Sequence, residues 1–157
     1  MKVASVNEIK QELNNLSAKE LLEVCIRVTK YKKENKELLT FLLFEAHDLP
    51  AYIQSVKNEI DDGFAEINQS NVYFIKKSLR KILKATNKYI RYTTSKEAEA
   101  ELLIYYCNKI KSSGIPINKS AAIKNIYHNQ VKKIAVVIEN FHEDLQYDYK
   151  KEMEQLI

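Results

Sequence analysis

Two glycines and two prolines in 157 residues leave this chain almost no means of turning at short intervals. Strand-rich domains depend on such residues between every pair of strands, so long helices joined by a few capped turns are what remains. The apolar positions agree, because they recur at three- and four-residue spacing through most of the chain. Hydrophobic residues make up 45% and charged residues 29%, enough apolar material for one core and too much for a disordered tail. The expected fold is all-α over a single domain, residues 1–157. Six to eight helices would form antiparallel hairpins, packed either as a bundle or as a short helical-repeat-like stack.

Helix starts are well marked. Ser5 with Glu8, and Ser17 with Glu20, both have capping-box spacing, in which each partner satisfies an orphan backbone donor. A polar break at Tyr31–Asn35 precedes Leu38, Leu39, Phe41, Leu42, Leu43 and Phe44. That segment is apolar nearly all round, which marks it as the most buried helix. Asp48 and Pro50 read as a cap and first turn. Ile53, Val56, Ile60, Phe64 and Ile67 then keep helical period through Gly63. Ser95 caps a further helix whose stripe is Ala98, Leu102, Tyr105 or Tyr106, and Ile110. Gly114 and Pro116 mark the clearest break. Asn118 would then cap one long final helix reaching about Glu154, with a kink near His128–Gln130. Residues from about 142 outrun a bundle of this size and read as a frayed or projecting arm.

Charge is strongly segregated. Residues 1–75 carry 9 basic and 12 acidic side chains, residues 76–133 carry 14 and 3, and residues 134–157 carry 2 and 6. Lys76, Lys77, Arg80, Lys81, Lys84, Lys88 and Arg91 share one stretch with no acid, opposite an apolar stripe containing Ile75, Leu79, Ile82 and Ile90. Tyr73 falls among the cations. The candidate binding residues are therefore Tyr73, Lys77, Arg80, Lys81, Lys84, Lys88 and Arg91. An aromatic ring beside a cationic stripe suits phosphate neutralisation with base stacking. Equally, Glu59, Asp61, Asp62 and Glu66, or the acids from Glu139 to Glu154, could pack alongside and compensate the face internally.

Signals for chemistry are thin. No HExxH, CxxC, EF-hand loop, GxSxG or glycine-rich phosphate loop occurs, so the sequence offers no catalytic, metal or cofactor site. His128 and His142 would lie about 21 Å apart along one helix and could not share a metal. Cys25 and Cys107 sit among apolar neighbours and read as buried, reduced thiols. The opening residues lack the apolar core of a signal peptide and no run is long enough to cross a bilayer, which makes the cytoplasm the expected compartment. The leading expectation is a non-catalytic interaction or scaffold protein whose partner is another protein or a second copy. The alternative is a nucleic-acid-binding protein using the basic helix at 76–91. No small-molecule substrate is suggested.

Overall fold

In the computed structural model residues 1–157 are described throughout, and the chain is all-helical, with eight α-helices and no strand. It divides into two compact units, Met1–Phe44 and Glu45–Ile157. Each has its own character.

The first unit contains α1 (Val6–Asn14), α2 (Ala18–Tyr31) and α3 (Lys33–Thr40). Both predicted capping boxes form. Ser5 Oγ accepts from the Glu8 amide while the Glu8 carboxylate accepts from the Ser5 amide, and Ser17 and Glu20 repeat the arrangement. Leu16 and Leu21 hold the two staple positions around the second box, and both are half-buried. Lys32 alone is extended, breaking α2 from α3, and the Asn35 side chain spans the break by donating to the Val28 carbonyl at 2.8 Å. Yet α1, α2 and α3 contain no buried residue. A π-turn, Phe41–Glu45, comes after α3 and buries Phe41 alone. Leu38 to Phe44 is therefore not the most buried segment: Leu42, Leu43 and Phe44 all lie exposed. A segment apolar all round needs neighbours on every side to be buried, and the unit Met1–Phe44 supplies too few.

The second unit holds the core. Its helices are α4 (Leu49–Ala65), α5 (Val72–Thr93), α6 (Lys96–Ser112), α7 (Ala121–Ile138) and α8 (Glu143–Glu154). Asp48 caps α4 by accepting from the Ala51 amide, with Pro50 in the first turn. Gly63 is inside α4, and the helix runs through it as the periodicity predicts. A Cβ there would stand 2.8 Å from Ile82 Cγ1, so the missing side chain lets α4 and α5 approach closely. Helix α6 is the central one, packed by α4, α5, α7 and α8. It buries Leu102, Leu103, Ile104, Tyr106, Cys107 and Ile110, each worth about 1.5–3 kcal/mol where the side chain is large and apolar.

Tyrosine hydroxyls tie these helices together through backbone carbonyls. Tyr106 on α6 donates to Leu79 on α5 at 2.9 Å, and Tyr127 on α7 donates to Leu156 at 2.7 Å. Gly114 adopts a positive φ of 68° past the end of α6, as a helix-terminating glycine does. Beyond it the expected single long helix is two. A 3₁₀ turn covers Ile117–Lys119, Ser120 rather than Asn118 caps α7, and the chain breaks between Ile138 and Glu143 instead of kinking near His128. The segment from 142 does not project. Helix α8 folds back on α7 and α6, burying Met153 and Leu156.

Candidate functional site

Two surfaces stand out, one in each unit. In the second unit, all seven cations from Lys76 to Arg91 ride on α5, which Asn71 caps by accepting from the Phe74 amide at 3.1 Å. Ile75, Leu79, Ile82, Thr86 and Ile90 turn the opposite face into the core. Of the predicted site residues, Lys77, Arg80, Lys81, Lys84 and Arg91 are exposed and have no ion-pair partner. Lys88 is half-buried, with its ammonium 4.8 Å from the centre of the Tyr89 ring. Tyr73 is 59% exposed and meets Phe74 edge to face at 5.5 Å. The Lys76 ammonium sits 5.6 Å from the Tyr73 ring centre.

No acid forms an ion pair with Lys77, Arg80, Lys81, Lys84 or Arg91, although three acids of α4 line a groove beside Lys81. Helix α8 packs on α6 and α7. On α4, Asp61 faces α6, accepting from the Tyr105 hydroxyl and from Lys109 at 2.8 Å each. Burial pushes the Asp61 carboxyl up, but these two donors outweigh it and hold its pKa below the ordinary range. The phenol of Tyr105 is pushed up to about 12 by burial and by the Asp61 carboxylate. Glu59, Asp62 and Glu66 rim a groove of about 440 Å³ between α4 and α5, whose α5 side contributes Lys81, Ile82 and Thr86.

The three acids within residues 76–133, Glu97, Glu99 and Glu101, all lie in the first turns of α6. Glu99 is only 8% exposed and is gripped by Lys96 and Lys133 at 2.8 Å each. Burial raises its pKa, and the two ammonium groups more than reverse that, leaving it below the usual carboxylate value. Glu101 pairs with Lys57 at 2.6 Å. The Glu99 and Glu101 carboxylates tie helices together, Glu99 to α7 through Lys133 and Glu101 to α4 through Lys57.

The first unit presents the surface that sequence reasoning missed. Leu22, Val24, Ile26 and Val28 of α2 are all exposed, Leu22 by 62%. On a helical wheel Leu22 and Ile26 fall about 40° apart, and Val24 and Val28 do the same on the opposite side. Helix α3 lies against α2, but one neighbour can cover only one side. Glu23, Arg27 and Lys30 border the Leu22–Ile26 side. Cys25, read from sequence as buried, is exposed in the same helix; Cys107 is buried, and its thiol is pushed up to about 12 by that burial. The three- and four-residue apolar spacing of the chain runs through α2 as well, and it had no means of saying what covers those residues.

His47, His128 and His142 are all exposed, and no group of three or more His, Cys, Asp or Glu side chains is placed to hold a metal ion. No helix is long and apolar enough to cross a membrane. The chain matches no protein-family model, no curated protein and no solved structure.

Proposed function

We propose that this chain is a non-catalytic interaction protein that docks through its N-terminal unit, and that the occupant of the docking surface is a second copy of the same chain. The observation that carries this reading is the absence of any buried residue in α1, α2 and α3, while eleven large apolar side chains there and in the π-turn lie exposed. Helices of this length gain most of their stability from packing an apolar face, and 44 residues sit near the size below which a domain needs outside support.

Charge selects the partner. The first unit carries 8 basic and 6 acidic residues, near balance and with the signs interspersed. A strongly acidic or basic partner would find no complement there. A two-fold antiparallel pairing of α2 brings Glu23 of each copy towards Arg27 or Lys30 of the other and sets Leu22 and Ile26 against the partner's own pair. Such a contact is self-complementary, the requirement of a two-fold interface.

Sedimentation velocity from about 1 to 100 µM separates the outcomes. The intact chain is expected to shift from monomer towards dimer with concentration. Leu22→Glu with Ile26→Glu is expected to stay monomeric while the thermal transition of the second unit is unchanged. A chain that remains monomeric at the highest concentration, or a variant that dimerises as well as the parent, overturns the reading.

A further inference from the structure

We infer that the outer face of α5 is a binding track for single-stranded nucleic acid. On a helical wheel Tyr73, Arg80, Arg91, Lys84 and Lys77 fall within about 60° of one another, so they form a stripe along the helix rather than a scatter around it. From Tyr73 to Arg91 that stripe is about 27 Å long at 1.5 Å per residue, room for roughly four extended nucleotides, the lower end of single-strand site sizes. The four cations in it are exposed and carry no ion pair.

Neighbouring helices frame the track and leave it open. On one flank Asn87 accepts from Lys133 of α7 at 3.1 Å, and on the other Lys81 stands on the rim of the acid-lined α4–α5 groove. Glu59, Asp62 and Glu66 repel phosphate on the groove side, which keeps a polyanion on the outer line through Lys77, Arg80, Lys84 and Arg91. Residues 76–133 carry 14 basic and 3 acidic side chains, and two of those acids are already ion-paired.

The aromatic pair chooses between single strand and duplex. Tyr73 stands at the start of the stripe, largely exposed, with its ring braced edge to face by Phe74. A braced ring next to a phosphate track can stack on an unpaired base and can do nothing comparable for a base already stacked in a duplex. The cations would hold a strand of any sequence, because they meet only its backbone.

Fluorescence anisotropy of a labelled oligothymidylate of about 20 nucleotides, titrated with the intact chain at two salt concentrations, tests this. Neutralising about four phosphates predicts a loss of affinity of about 50-fold between 50 and 200 mM NaCl. Lys77→Glu with Lys84→Glu is expected to remove most binding at 50 mM. The milder Lys77→Gln with Lys84→Gln should make the logarithmic salt slope shallower by about 1.4. Tyr73→Ala should weaken single-strand binding by about tenfold and leave the slope alone. An unchanged cooperative thermal transition shows that each variant is folded. No binding at 50 mM, or equal binding by the charge variants, overturns the inference. So does a duplex of the same sequence, or polyglutamate, bound as tightly as the single strand: the first would make α5 a groove-binding helix, the second an acceptor for an acidic protein.

Discussion

Helices α2 and α6 are built from similar material and meet opposite fates. Both begin at a capping serine, Ser17 or Ser95, with acids in the first turn and lysine in the last. Both carry apolar residues on more than one face. Helix α6 has neighbours for all of them and buries nine residues; α2 buries none. The difference lies in the number of partner helices each unit can supply. Four helices surround α6, while α2 is packed chiefly by α3. A helix that is apolar on two sides and packed on one leaves apolar surface exposed.

Core deletion should expose this contrast most strongly. Leu79 is fully buried under α6, and Leu79→Ala should cost about 3 kcal/mol and lower the thermal midpoint by more than about 10 °C. Leu22→Ala, measured by the same denaturation at dilution, should move the transition by less than about 0.5 kcal/mol. Comparable losses at the two positions would mean that the first unit has a core of its own and would erase the distinction.

Acid should separate the units by a smaller margin. Asp61 and Glu99 both have folded pKa values below their ordinary 3.8 and 4.5. A depressed carboxyl contributes stability above the unfolded value, and that contribution is lost as pH falls through the folded one. The second unit should therefore weaken cooperatively below about pH 4, and Glu99→Gln should flatten that dependence while costing about 1 kcal/mol at neutral pH. The Tyr105 phenol has the opposite sign. Its value of about 12 keeps the neutral form folded, so stability holds below the ordinary 10 and declines as pH climbs towards 12. In the first unit, Glu8 is lowered chiefly by the Ser5 backbone amide and Glu20 chiefly by the Ser17 hydroxyl. Both lie in exposed caps, so acid should fray helix ends there without a cooperative step. Circular dichroism with pH, on the intact chain and on Glu99→Gln, reads both effects.

Legibility in the sequence divides in the same way, between local and non-local contacts. The caps at Ser5, Ser17, Asp48, Ser95 and the stop at Gly114 depend on contacts within four residues, and each formed where its residues lie. The amphipathic layout of α5 was equally readable, down to which face turns inward. Burial is different, because it depends on segments far apart in the chain. The run from Leu38 to Phe44 looked like a core helix on composition, and α6 took that place through neighbours that no local pattern names. The break after Ile138 contains neither glycine nor proline. Its cause lies in α8: turning there lets Met153 and Leu156 reach the core and the Tyr127 hydroxyl meet the Leu156 carbonyl. The basic stripe, likewise, could be drawn on a wheel, whereas the absence of acids beside Lys77, Arg80, Lys84 and Arg91 needed the packing of α4 and α8.

Amide hydrogen exchange on the intact chain, at about 1 µM and again at about 100 µM, tests the contrast most directly. Amides of α6 should be protected equally at both concentrations, since their cover is intramolecular. Amides of α1 and α2 should exchange rapidly when dilute and become protected when concentrated, as a second copy supplies the missing face. Protection in α2 that matches α6 and ignores concentration would contradict the account.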